Sequence, residues 1–286
     1  MSTKSEGRRI AVRAGLVRGW RETKYSLTEP ADLVWFIAIP VIFAVVLLFM
    51  RGNTVPGTTF ELGAMVLPSI VGMSIAFGGL VGPAQQIAMD REDGTLLRAK
   101  ATPDGMLGYL VGKTVMFSLT TLFSLVLLAI PAATVAGDLR FDGRTALLLP
   151  LIFVGGMLAT VPLSTALGSV FKSSAQSMLT MLAAMVLVSV SGIFYPITPL
   201  PTWLQWVGQA FPFYWLGLGT RSAMLPESMV TAEIGDSWRT AEMLGVLGIW
   251  AVIGFVLAPV VLRRMARRES GSSVEARRAR LAQQVG

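Results

Sequence analysis

The sequence predicts an all-α integral membrane protein with six transmembrane helices and both termini on the cytoplasmic side. Three observations predict it. Of 286 residues, 53% are hydrophobic and only 14% charged, with a mean hydropathy of +0.64; a soluble globular chain carries about 25% charged residues. Six apolar blocks, at about 33–50, 62–89, 109–135, 145–171, 175–193 and 242–262, are each long enough to span a bilayer. The basic residues are shared unequally between the two sides. Of the 24 Lys and Arg, only Arg51, Arg140, Arg144, Arg221 and Arg239 fall on the side away from the termini, and basic residues mark the cytoplasmic face. The net charge of +7 therefore reads as membrane orientation and not as nucleic-acid binding. The chain has no Cys and no His, so disulfide frameworks and Cys/His zinc sites are excluded.

Residues 1–31 are polar and basic. Ile10, Ala14, Val17 and Trp20 could form an apolar stripe on an interfacial helix, although Arg13 and Arg21 project near it; a disordered basic tail is the alternative. The first apolar segment lies too far from Met1 and is too long for a cleavable signal peptide. The first span carries no charge and contains Pro40. The second contains Gly78-x-x-x-Gly82, a small-residue pattern that suits helix contact.

A charged island follows at 89–108, bearing Asp90, Arg91, Glu92, Asp93, Arg98, Lys100 and Asp104. Charge of this density cannot sit in hydrocarbon, yet apolar spans tie down both of its ends. Pro103-Asp104-Gly105 reads as a turn between two helices. Leu96, Leu97 and Ala99 give the island an apolar side. It is either a docking surface for another protein or an ordinary solvated loop.

Past the fifth span, residues 194–225 combine Trp203, Trp206, Phe211, Phe213, Tyr214 and Trp215 with Pro196, Pro199, Pro201 and Pro212. One straight span cannot hold four prolines, so short interfacial or re-entrant helices near the outer aromatic belt are expected. A polar loop at 226–239 precedes the last span, and residues 263–286 form a basic cytoplasmic tail.

The span interiors offer essentially no ionisable residue. Lys113 is expected to snorkel from a cytoplasmic helix end. Ion-coupled transport, which needs intramembrane carboxylates or histidines, is disfavoured, as is an intramembrane enzyme. Gly108-Tyr109-Leu110-Val111-Gly112-Lys113-Thr114 is one residue short of a phosphate-binding loop and opens a span instead of following a strand. Uphill movement of a solute would need energy from a partner through a cytoplasmic surface, for which the island is the best candidate.

The island Arg91-Glu92-Asp93-Gly94-Thr95-Leu96-Leu97-Arg98, with Thr102-Pro103 and Gly112-Lys113, resembles type-two ATP-binding-cassette (ABC) exporter permeases, and most of all the bacterial drug-resistance group that includes the daunorubicin exporter permease. Ser191-Gly192-Ile193-Phe194-Tyr195-Pro196, followed by Leu200-Pro201 and Trp203-Leu204, is similar to the family's second hallmark. Leu97, Ala99 and Ala101 depart from residues common in the family. The resemblance implies that Arg91, Glu92, Asp93, Gly94, Thr95, Leu96, Leu97, Arg98, Thr102 and Pro103 contact a separate ATPase subunit. Two permeases, identical or paralogous, and two ATPases would form the exporter in a bacterial-type cell membrane. ATP and Mg would sit on the ATPase, with no cofactor in this chain. The expected substrate is a lipophilic drug-like or lipid-like molecule. Its path is expected along Met73, Phe77, Met181, Met185, Ser189, Ser191, Phe194 and Tyr195, residues that could equally pack or face lipid. Export of a polysaccharide or lipid-linked envelope precursor, or a non-transporting scaffold or immunity role, are the alternatives.

Overall fold

The computed structural model describes residues 2–54, 62–102, 104–133, 139–171 and 174–268. Pro103, Asp138, Lys172 and the tail 269–286 lie outside the described residues. The described chain is helical: α1 (Ser2–Ser26), α2 (Pro30–Met50), α3 (Leu62–Glu92), α4 (Thr95–Lys100), α5 (Gly105–Ala132), α6 (Gly143–Gly168), α7 (Ser174–Val190), α8 (Thr202–Ala210), α9 (Pro212–Met224) and α10 (Thr240–Arg268), with two 3-10 turns between α9 and α10. Local chemistry sets several of these ends. Pro30 and Pro212 sit in the first turns of α2 and α9, where the missing N–H costs nothing. The Asp142 side chain caps α6 by accepting from the Thr145 N–H at 3.0 Å.

Among the described residues, five helices, α2, α3, α5, α6 and α10, are long and apolar enough to cross a membrane. The fifth apolar block of the sequence forms α7, whose 17 residues make about 25 Å at 1.5 Å per residue, short of a hydrocarbon core of about 30 Å.

The bundle is built around α3. Over its apolar window α3 is 56% buried, against 11% for α2 at the periphery. Small residues bring its neighbours to backbone distance. A Cβ at Gly82 would stand 2.6 Å from the Phe117 ring of α5, one at Gly72 2.9 Å from Thr220 of α9, and one at Gly168 of α6 2.7 Å from Ala84. The Ser164 hydroxyl of α6 donates to the Leu80 carbonyl of α3. Gly78 of the Gly78-x-x-x-Gly82 pair meets Thr121 of α5, so this pattern packs α3 on α5.

The proline-rich segment forms a hairpin of α8 and α9 rather than a span. Both of its ends lie at one end of the bundle: Thr198, before α8, bonds to Ala232, and Met224 at the end of α9 accepts from Arg140 N–H beside the start of α6. Its corner reaches inward, where Phe211 stacks on Trp250 and the Ala210 carbonyl accepts from the Trp250 indole. Trp250 stands ten residues into α10, so the corner is about 15 Å down the bundle. Every residue of Pro212–Met224 is buried, whereas Trp203 and Trp206 are exposed.

The N-terminal helix also packs through a second face, apart from the expected apolar stripe. The face that α1 buries is Ala11, Gly15, Gly19 and Thr23. These small residues, spaced by four, lie against Gly108 and Gly112 of α5. A Cβ at Gly15 would come 2.5 Å from the Gly108 carbonyl, and one at Gly19 2.6 Å from the Gly112 carbonyl. This close approach also accounts for the incomplete phosphate-loop pattern: its glycines are helix-packing positions. Ile10, Val17 and Trp20 are left exposed on the other side.

Candidate functional site

At the end of α3 the chain turns at Gly94, which holds φ +81, a left-handed conformation that side chains resist. Six residues of α4 follow. Asp104, also left-handed at φ 49, then reverses the chain into α5. The Thr95 N–H donates to Asp93 Oδ1 at 2.8 Å, and the Thr102 hydroxyl donates to the Ala99 carbonyl at 3.0 Å. Arg263 of α10 reaches Asp104 at 3.3 Å. The charged island is therefore a built corner clasped by three spans.

The structure divides the candidate docking residues. Leu96, expected at a partner's surface, is only 2% exposed. It packs with Ile87, Ala99, Met106, Tyr109, Leu262 and Met265, so it anchors α4 to α3, α5 and α10. Arg91 donates to the Phe171 carbonyl at 2.6 Å and ties the corner to the end of α6. Leu97, Glu92, Gly94 and Thr95 are half-buried, and Asp93, Arg98 and Thr102 are exposed. Among the described residues of this set, Leu97 is thus the apolar side chain that remains available to a partner.

Beneath the corner lies a buried charge cluster that the sequence reading missed. Lys113 Nζ stands 2.9 Å from Asp90 Oδ2 and 3.0 Å from Glu22 Oε2. The Tyr109 hydroxyl donates to Asp90 Oδ2 at 2.7 Å, and Gln86 donates to Oδ1 at 2.9 Å. Arg18 donates to Glu22 Oε1 at 2.6 Å and lies over the Tyr109 ring. Glu22 Oε2 has no aligned hydrogen bond, so its contact with Lys113 is an ion pair by distance alone. Asp90 and Lys113 are each 4% exposed. Lys113 does not snorkel to water but is held inside by two carboxylates, one from α3 and one from α1. Asp90 does not belong to the island's solvated charge. Three helices thus meet in one network directly behind α4.

The candidate path residues separate likewise. Met181, Met185 and Ser189, spaced by four on α7, are all exposed on one side of that helix. Met73 and Phe77 of α3 are half-buried. Phe194 and Tyr195 are exposed beyond the end of α7, and the Tyr195 hydroxyl donates to the Ser189 carbonyl. Ser191 is 1% exposed and bonds to the Val188 carbonyl. It is an internal structural hydroxyl and does not share the face.

At the opposite end of the bundle, Arg221 of α9 is buried. It donates to Glu233 at 2.7 Å and to the Gly192 and Ile193 carbonyls at 3.2 and 2.9 Å. One guanidinium therefore holds α9, the turn after α7 and the loop before α10. Sequence reasoning had counted Arg221 only as a charge on the far side. Its place within an apolar, aromatic run was the available signal, since a buried cation demands a partner.

Residues 58–260 match the family model described as ABC-2 family transporter protein. The chain belongs to the ABC-2 transporter family. The match covers more than two thirds of the chain and begins after α2, so α1 and its lock on α5 lie partly outside it. No curated protein matches the chain. Membership makes the chain a multi-pass membrane permease subunit of an ABC transporter and implies an ABC ATPase as its partner. Within this ABC-2 permease, the α4 corner joins the ends of α3 and α5, two of the helices long and apolar enough to cross a membrane.

Proposed function

We propose that the chain is the permease of an ATP-driven exporter in a bacterial-type cell membrane, moving a lipophilic drug-like or lipid-like substrate outward. Two such permeases, identical or paralogous, would work with two copies of the ATPase. The chain itself would hydrolyse nothing; ATP and Mg belong to the ATPase. In this reading α7 also crosses the membrane, as the fifth of six spans in chain order, both termini are cytoplasmic, and the α8–α9 hairpin re-enters from the outer side with Trp203 and Trp206 at headgroup level.

The observation that carries this reading is the α4 corner. Its outer side shows Asp93, Leu97, Arg98 and Thr102, while Leu96 and Ala99 seal its inner side to three helices. A push on α4 cannot be absorbed locally, because the charge cluster behind it links α3, α5 and α1. That is what an energy-coupling element requires. The exposed charges would set orientation and encounter rate, with Leu97 supplying the desolvated contact. Met181, Met185 and Ser189 would form a flexible, uncharged substrate face. Export of a fluorescent lipophilic cation from cells, with the chain and its ATPase co-expressed, tests the reading. Leu97→Asp should lower efflux to that of a deletion while leaving the amount of membrane-inserted chain unchanged. Wild-type efflux in that variant would refute it.

A further inference from the structure

Helix α1 packs on α5 through Ala11, Gly15, Gly19 and Thr23. At about 3.6 residues per turn, the side farthest from that seam carries Arg9, Arg13, Arg21 and Lys24, interleaved with Ile10, Val17 and Trp20. All of these are exposed, the apolar three to 65%, 46% and 62%. Arg9, Arg13, Val17 and Arg21 follow one another at four-residue steps and so form one ridge along the helix. Among the described residues, none of the four cations meets a carboxylate. Glu22 is taken by Arg18 and Lys113, and Glu6, at the free end of this face, pairs with none of them. A shallow hollow of about 570 Å³ runs along the same side, lined by Ile10, Ala14 and Val17 with Arg13, Arg18, Arg21 and Glu22.

Such a face suits neither water nor hydrocarbon alone. Water leaves three large apolar side chains unburied, and hydrocarbon does not take four cations without counter-ions. A boundary that is apolar on one side and anionic on the other satisfies both demands. The position of α1 sets it at such a boundary. Its seam lies on the opening turns of α5, where Gly15 and Gly19 meet Gly108 and Gly112. At its other end, residues 27–29 alone separate it from α2. Both α2 and α5 are long and apolar enough to cross a membrane, so α1 is held where two such helices begin.

We propose that the outward face of α1 is a docking surface for the acidic phospholipids of the adjoining leaflet. A lipid phosphate lies over Val17 between Arg13 and Arg21, which stand two turns apart on one ridge, and a guanidinium matches a phosphate in both charge and shape. Arg9 and Lys24 extend the positive strip at either end. Ile10, Val17 and Trp20 enter the boundary of the acyl chains. The attraction is Coulombic, so it selects acidic over zwitterionic lipid and weakens as salt rises. The inference rests on the membrane placement of α2 and α5, and not on ATP coupling or on the direction of transport.

The test uses the purified full-length chain. Because the chain has no Cys, Ala14→Cys, at an exposed position in the same hollow, gives a single site for a bimane label. The labelled chain is placed in nanodiscs of mixed phosphatidylcholine and phosphatidylglycerol, with one lipid or the other brominated near the carbonyl end of its chains. At equal amounts, brominated phosphatidylglycerol should quench the label more strongly than brominated phosphatidylcholine, and added salt should shrink the difference. Arg13→Gln/Arg21→Gln should cut the preference about fivefold for each cation removed, the worth of one basic residue beside an acidic leaflet. Arg13→Lys/Arg21→Lys, which keeps both charges, should retain it. Equal quenching by the two lipids would overturn the assignment, as would an unaltered preference in the Gln pair or an equal loss in the Lys pair. A label quenched by neither lipid would overturn it too: open to aqueous iodide it would mark a solvated face, and shielded from iodide a face covered by protein. Failure of the export assay alone would leave the assignment standing.

Discussion

Lys113→Met removes the ammonium that bridges Asp90 and Glu22 while keeping a flexible apolar stem of similar length. In the wild type that ammonium lies 2.9 Å from one carboxylate and 3.0 Å from the other. After substitution, Asp90 retains its bonds from Tyr109 and Gln86, but its charge is 4% exposed and has lost its counter-ion. Removing one partner of a buried pair costs about 3–5 kcal/mol. The loss should fall on the union of α1 with α3 and α5, because Glu22 is on α1. Two readouts follow on the full chain in detergent: a lower melting temperature, and faster tryptic cleavage after Arg18 and Arg21 as α1 lifts. The compensated variant Lys113→Met/Asp90→Leu should recover much of the loss, since apolar replacement of a buried pair is often neutral or better. If Lys113→Met melts and digests like wild type, the cluster does not hold α1, and the coupling route behind α4 falls with it.

Gly19→Val should also detach α1, because its side chain would meet the Gly112 carbonyl at 2.6 Å; wild-type proteolysis of α1 would contradict this. Arg221→Ala should destabilise the end of the bundle where α9 meets the loop before α10 by about 3–5 kcal/mol by leaving Glu233 buried and unpaired, with Arg221→Ala/Glu233→Ala less damaging than the single change; equal melting of the single variant and wild type would refute it. Asp142 has its carboxyl pKa held below the usual aspartate value, first by the Thr145 N–H and then by Arg140. The cap's contribution should therefore be complete above the ordinary aspartate pKa and fade as pH falls through the lowered one, so Asp142→Asn should flatten the acid limb of the melting profile. An unchanged acid limb would show that the cap is not linked to stability.

What the sequence made legible, and what it hid, divides along physical lines. Hydropathy marks apolar helices because the bilayer requires twenty or so uninterrupted apolar residues. It exposes the hairpin too, because four prolines forbid one span. Pairing across the fold leaves no such trace. Asp90 and Lys113 are 23 positions apart on different helices, and nothing local says that their charges meet. Leu96 and Leu97 are chemically identical neighbours, and only the α4 register turns one inward and the other out. On α1 the search for an apolar stripe found Ile10, Val17 and Trp20, the exposed face. The buried face is made of Ala11, Gly15, Gly19 and Thr23, where close approach favours absence of side chain over hydrophobicity. A four-residue spacing of small residues in both 11–23 and 108–112 was the missed signal.

Seating of the exposed side of α4 on the ATPase is tested most directly by a photo-reactive residue in place of Leu97. Burial of Leu97 in that interface would be worth about 1.5–3 kcal/mol, and an unpaired carboxylate there would cost a few kcal/mol more, so coupling through α4 requires contact at this side chain. With benzoylphenylalanine at position 97 in cells making both subunits, irradiation should yield an adduct at the summed mass of permease and ATPase. The same residue at Trp35, exposed on peripheral α2, should not. An adduct from Trp35 but none from position 97, in a variant that still exports, would show that α4 is a solvated loop and that coupling runs elsewhere.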